Sequence, residues 1–409
     1  MHPRRGRISG HRRLTILATL LGLTLVLAAC SNGAAPGAPA GSTGASGGLK
    51  SLPSSIQEFY KNIGSDVPVG ASPLQKFKAH RKPPWVIGYS SEYAGNNWRA
   101  AAISRLFQKL LPEYKRAGLV SKVIVDQSNL NNELQIQQIK QMVNQGVDAI
   151  ITCCSATTVL NGAIAYAHQH GVPFFVFNGY VTSPYAISEE GNYYLDGVAM
   201  ATTLFKDMKG QGSFLNVVGF PGIASNDAVE AGMKTALKKY PKISVAGSVT
   251  SLDTDSKAKQ VVLQFLASHP GRVNGVFTQS PGEMGVLQAL LQSGRSVPPI
   301  TVGGETGPEC FWKSHAKWVS QGYNVWPPGD DFEVVWQMMI RTLEGQGPRI
   351  QTFVHPTKPF TYQDASTSAG AGCSSTGDVF SQPPMSSYFP SSLMDKFFVH
   401  PANPLTYKG

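Results

Sequence analysis

From Trp85 onward the chain alternates short apolar runs with amphipathic stretches, and few architectures accommodate that order. Strands are expected at 86–89, 123–125, 149–151 and 174–177, with helices near 99–117, 131–144 and 159–170 between them. In the second of these helices Ile136, Ile139 and Val143 share one face, and Gly146 stands where a helix would stop. A second series begins near Phe214, with strands at 215–218, 243–246, 273–277 and 300–302 and helices near 227–240, 256–268 and 284–293. Strands that are apolar rather than alternately polar belong in parallel sheets covered by helices on both faces. The fold class expected is therefore α/β, with two doubly wound parallel-sheet lobes.

Composition removes several functional classes. An apolar content of 42% with 10% aromatic residues excludes a disordered chain. After residue 29 no apolar run approaches the roughly 20 residues of a membrane span, which excludes a multi-span membrane protein. The net charge of +10 is half an address label: Arg4, Arg5, Arg7, Arg12 and Arg13 account for five of the 35 basic residues, with no acid before residue 30. The remainder has no basic run with interleaved aromatics, so nucleic acid is not an expected partner. CxxC pairs, an HExxH helix and metal-ligand His spacing are absent, and neither a metal nor a cofactor is expected.

The first 30 residues have the three parts of an export signal: a basic segment to Arg13, an uncharged apolar stretch over 14–29, and Leu27-Ala28-Ala29-Cys30. That ending resembles the lipobox of bacterial lipoproteins, which implies cleavage before Cys30 and its lipidation. An uncleaved signal anchor is the alternative, and Arg12-Arg13 also allows twin-arginine export. Residues 31–48 are Ser, Asn, Gly, Ala, Pro and Thr, a composition that buries no apolar surface and makes a flexible tether. Export permits disulfides. Neighbouring cysteines rarely pair, so the bridge expected is Cys310–Cys373 rather than one between Cys153 and Cys154, with free thiols as the other outcome.

In open α/β sheets ligands sit beyond the carboxyl ends of the strands. Those ends are polar here: Ser90-Ser91, Cys153-Cys154-Ser155, Asn178-Gly179, Gly219-Phe220-Pro221, Gln279-Ser280 and Glu305. Six such ends from two lobes imply a cleft between them.

Tyr93-Ala94-Gly95-Asn96-Asn97-Trp98-Arg99 is similar to the first ligand loop of ribose-type periplasmic sugar-binding proteins. Gln138-Ile139, Gln145-Gly146-Val147-Asp148-Ala149-Ile150-Ile151, Gly171-Val172-Pro173, Ala231-Gly232-Met233 and Val302-Gly303-Gly304-Glu305 follow in that family's order, so the resemblance covers roughly 85–355. It implies a periplasmic binding protein of type I, the solute-binding component of an ABC importer, with two lobes joined by a three-strand hinge near 180–195, 322–330 and 352–362. Carried over by position, Trp98 would stack on a sugar face, Asn97 and Ser155 would meet hydroxyls, and Asn178 and Glu305 would stand where family carboxylates grip hydroxyl pairs.

The chain departs from the family at Asn226-Asp227, where an Arg is usual, at Gln279-Ser280, and at Trp326, near a family Gln. Without that Arg a carboxylate or phosphate ligand is disfavoured. A neutral sugar or polyol is expected, an amine-bearing ligand using Asp227, Glu305 and the Trp98 and Trp326 rings being the alternative. The division expected is a signal peptide over 1–29, a lipid-anchored tether over 30–48, an extension over 49–84, and a first lobe from 85–190 with 326–355. The second lobe is expected from 191–325 with 356–409, and the C-terminal aromatics Phe380, Tyr388 and Phe389 are expected to dock on it. Partners expected are the small ligand, the permease and, through Cys30, the bilayer at the outer face of the cytoplasmic membrane, with the protein a monomer. A ligand-sensing lipoprotein for a receptor kinase is the runner-up. An exported enzyme ranks behind it, because only Cys153-Cys154 offers a nucleophile and no His partner is visible.

Overall fold

The computed structural model describes residues 48–406, apart from 154–155, 280, 319–321, 324–327, 357–358, 369–372, 375, 378, 381–384 and 388. The signal segment, Cys30, Cys154, Ser155 and Trp326 lie outside the described residues. Among the described residues no helix is long and apolar enough to cross a membrane.

The extension opens with a single helical turn, α1 (Ser54–Gln57), which puts Ile56 and Tyr60 inside with Leu52 and Leu74. The first lobe then runs β1 (Trp85–Ser91), α2 (Asn97–Arg105), α3 (Leu111–Arg116), β2 (Val120–Gln127), α4 (Asn132–Asn144), β3 (Ala149–Cys153), α5 (Asn161–Gln169), β4 (Phe174–Phe177) and β5 (Ala186–Gly191). The second lobe follows with α6 (Tyr193–Asp207), β6 (Gly212–Val218), α7 (Ala224–Leu237), β7 (Ile243–Thr250), α8 (Asp255–Ser268), β8 (Gly275–Thr278), α9 (Glu283–Gln292) and α10 (Thr306–Ser314). A short β9 (Gly322–Tyr323) leads to α11 (Pro328–Leu343) and β10 (Thr352–His355), after which β11 (Pro359–Phe360) pairs back on β9 and α12 (Tyr362–Ser368) packs on α10.

The first sheet has the order β10-β5-β4-β3-β1-β2 and is parallel throughout. Its central strands β1, β3 and β4 are apolar on both faces because each feeds two cores. Ala149, Ile151, Phe175 and Phe177 face α2, α3 and α11, whereas Ile150, Phe174 and Val176 face α4 and α5. The second sheet, β7-β6-β8, repeats the plan, with Phe214 and Phe277 toward α6 and α7 and Leu215, Val217 and Val276 toward α8 and α9. The expected strand at 300–302 is reduced to one parallel bridge, Val276 with Ile300. The outer strands β2 and β7 are half-exposed, which departs from the all-apolar expectation, as edge positions are covered on one side only.

The long helix expected over 99–117 is interrupted by a wide π turn at 106–110. Pro112 has no N–H to donate and its ring crowds the carbonyl one turn back, so the regular ladder cannot run through. The strand β5 and the helices α6, α10 and α11 were not anticipated.

The C-terminal segment corrects an expectation. Cys310 is bridged to Cys373 on the second lobe, with Cα atoms 5.8 Å apart. The chain then crosses to the first lobe, where Phe380, Met385, Phe389, Phe397 and Phe398 join the core around Phe332 and Phe353. Phe353 stacks on Phe397 at 4.5 Å between centroids. These aromatics cover apolar residues of α11 and β10 and remove their surface from water.

Candidate functional site

The loop after β1 reaches the other lobe through its amides. Asn96 caps α2 by accepting the Arg99 N–H at 2.9 Å, and its Nδ2 donates to the Asp253 carbonyl oxygen at 3.1 Å. Asn97 Nδ2 donates to Glu305 Oε1 at 2.8 Å and lies 3.5 Å from Asp255 Oδ2. Tyr93 meets Phe220 edge-on at 5.8 Å. These ties hold the lobes together around a small cavity of about 50 Å³.

Trp98, Arg99 and Asn178 line that cavity from the first lobe, and Tyr193, Asn226, Asp253 and Gln279 from the second. Trp98 is 2% exposed and stacks on Phe177 at 6.1 Å and 18°. One ring thus belongs to the core and to the cavity wall. Arg99 is buried, with its guanidinium 5.4 Å from the centre of the Tyr93 ring. Asp253 takes a left-handed backbone, φ 49°, which turns its carboxylate inward. Its Oδ2 accepts from Asn226 Nδ2 at 3.0 Å and from the Phe220 N–H at 3.4 Å, while Oδ1 is buried without a partner. Gly219 is required here, because a Cβ would stand 2.0 Å from that oxygen. Burial pushes the Asp253 carboxyl up to about 6, against the pull of Asn226, Arg99 and the Phe220 amide. Burial likewise raises Glu92 to about 7, opposed by Arg99. Asn178, also left-handed at φ 51°, accepts from the Tyr193 hydroxyl at 2.8 Å. Gln279 accepts the Gly219 N–H at 3.1 Å and donates to the Asn226 carbonyl oxygen at 3.2 Å.

Of the residues expected from sequence, Trp98, Asn178 and Gln279 therefore meet at one cavity. Asn97 and Glu305 bond to each other across the lobes. Glu305 is fully buried, accepts the Met284 N–H at 3.0 Å, and is held well above the usual carboxylate range by burial and by Glu283 and Asp255. Asp227 accepts the Gly222 N–H at 3.2 Å and lines a neighbouring cavity. Cys153 is disulfide-bonded, which removes the thiol that the enzyme reading would have used. Sequence reasoning missed the roles of Arg99, Tyr193 and Asp253. The signal for Arg99 was its place beside Trp98; for Asp253 it was the loop after β7, a strand end left out of the set of six.

Metal-ligand types that are far apart in sequence also converge. Glu189 of β5, Asp331 of α11 and His355 of β10 bring oxygen and nitrogen atoms within 4.8 Å of one another, all buried, with His355 Nε2 2.9 Å from Glu189 Oε1. They stand where the chain passes between the lobes.

The chain matches the profile of the periplasmic binding protein domain over residues 87–347. A xylitol-binding protein of Mycolicibacterium smegmatis is 27% identical over 192 residues, 46% of this chain and 54% of that protein. A galactofuranose-binding protein of Escherichia coli is 24% identical over 221 residues, 52% of this chain and 67% of that one. The matched stretch thus spans only about half of the first relative's length. Among solved structures, an ABC transporter solute binding protein from Thermobispora bispora superposes with a TM-score of 0.66 at 22% identity, covering 73% of this chain and 92% of that one. Another, from Mycobacterium smegmatis with bound glycerol, gives 0.63 at 15% identity, covering 74% and 100%. With its two parallel-sheet lobes and the profile match through both, the chain belongs to the periplasmic binding protein domain family.

Proposed function

We propose that this protein is the solute-binding component of an ABC importer and captures a small neutral polyhydroxylated molecule, a sugar or polyol. The observation that carries the reading is the cavity between the lobes, with Trp98 and Arg99 on one wall and Asn226 and Asp253 on the other. An aromatic face buries the apolar C–H side of a sugar at little entropy cost. Arg99 offers donors and Asp253 an acceptor, so hydroxyls find both and the pair leaves little net charge to attract an anion. A cavity of about 50 Å³ suits a ligand of few carbon atoms. The relatives named for xylitol and galactofuranose, and the neighbour holding glycerol, support the same class.

Binding works through closure. Each lobe carries half of the polar groups, so a ligand meets all of them only when the lobes are together, and its presence shifts the population toward that state. The export signal and Cys30 support a lipidated N-terminus that, with the tether, would hold the protein at the outer face of the cytoplasmic membrane beside the permease.

Calorimetric titration against pentoses, hexoses, pentitols and glycerol tests the reading. One class should bind with one ligand per chain, and Arg99→Ala should abolish it. Absence of binding across all four classes refutes the proposal. Intact mass of the membrane fraction tests the anchor: acylation should be present in the wild type and absent in Cys30→Ser.

A further inference from the structure

Beside the proposed sugar cavity, and sharing Tyr193 with it, lies a larger one of about 310 Å³. Three parts of the chain wall it: the extension through Asp66, the first lobe through Tyr180 and Glu190, and the second lobe through Tyr194 of α6 and Asp227 of α7. The extension precedes residue 87, where the family match begins. No Lys, Arg or His lines the cavity among the described residues.

Glu190 is the telling group. It is 2% exposed, and its Oε2 is buried with no hydrogen-bond partner. Its neighbour on β5, Glu189, points to the opposite side, where it accepts the Asn178 N–H at 3.0 Å and meets His355. A buried carboxyl without a donor or a cation is costly, and folds keep such groups where something else satisfies them. At the rim Asp66 accepts from the Tyr180 hydroxyl, and Asp227 is exposed beside it.

We infer that this second cavity binds an organic ammonium ion, with Glu190 as the buried counter-charge, Asp66 and Asp227 at the mouth, and tyrosine rings around the cationic head. The chemistry separates an organic cation from a bare metal ion. Ile63 and Val67 also line the space, and apolar walls suit the alkyl part of an amine but not a hydrated ion. The volume is likewise far larger than a coordination shell requires. Because its walls come from both lobes and the extension, an occupant would hold the closed arrangement from a position outside the sugar cavity.

Titration of the whole protein with choline and with putrescine, and separately with calcium chloride, tests this. The expected result is one organic ammonium per chain, weakened at least about tenfold by Glu190→Gln, since the buried charge partner of the cation is lost. Asp66→Asn should weaken it less, and gives a second reading if Glu190→Gln folds poorly. The inference falls if neither amine binds, if both variants bind as the wild type does, or if calcium binds and the amines do not.

Discussion

Trp98 shows how one residue can serve two purposes. Its ring completes the stack on Phe177 and forms a wall of the cavity. Trp98→Ala should therefore lower the unfolding free energy by about 3–5 kcal/mol in denaturant titration as well as weaken sugar binding. Trp98→Phe should recover most of the stability and only part of the affinity. Asp253 gives a pH signature. With its carboxyl up to about 6 and the carboxylate as the form that accepts ligand hydroxyls, affinity should fall as pH drops below 6, by up to about tenfold per unit. Calorimetry between pH 5 and 7.5 should find that slope in the wild type and a flat profile in Asp253→Asn. Glu344 acts on stability instead. Burial lifts it to about 8, against a hydrogen bond from Gln346 and the attraction of Arg341. The folded state then holds the proton more tightly than the unfolded chain, so its contribution is full below about 4.5 and is lost as pH rises through 8. Denaturation midpoints should decline over that range, and less steeply in Glu344→Gln.

At the scale of the element, legibility followed apolar runs. The strands β1, β3, β4, β6 and β8 could be read because both faces are apolar. β5 could not, since Ser188-Glu189-Glu190 are acids and a hydroxyl that are buried only because the hinge closes over them. The π turn ahead of Pro112 is a local break that helical spacing does not encode. For the site, sequence located loops but not side-chain directions. Trp98, Asn178 and Gln279 sit where strand ends predict, whereas Asp227 and Glu305 lie at helix starts in the expected places and turn elsewhere. The importance of Arg99 depends on Asp253, 154 positions away, and no local pattern joins them.

On the scale of the whole molecule, the lobes are held together by more than three hinge segments. Val67 of the extension packs against Tyr180 of the first lobe and Ala224 of the second. Tyr60 donates to the Thr352 carbonyl oxygen at 2.6 Å and accepts the Val354 N–H at 3.2 Å, covering the edge of β10. On the other side, the C-terminal segment is fixed to the second lobe by Cys310–Cys373, pairs Phe380 with Glu305, and ends in the first lobe's core. Reducing that disulfide, whose cysteines are 63 positions apart, should cost about 4 kcal/mol on the loop-entropy account. It should also enlarge the radius of gyration of the ligand-free protein in small-angle scattering. An unchanged radius would mean that the segment does not limit opening.

The return of α11 and β10 to the first lobe has a consequence during biosynthesis. The sheet begun at Trp85 receives its outermost strand only at Thr352, after the three strands of the second sheet have been made. In chain order the second sheet is made while the first still presents the bare edge of β5 and the uncovered apolar face that Phe332, Trp336 and Phe353 will fill. Order of synthesis and order of completion of the two sheets are thus reversed, and the first lobe keeps an exposed apolar face, a hazard for aggregation, until the last quarter of the chain has been made.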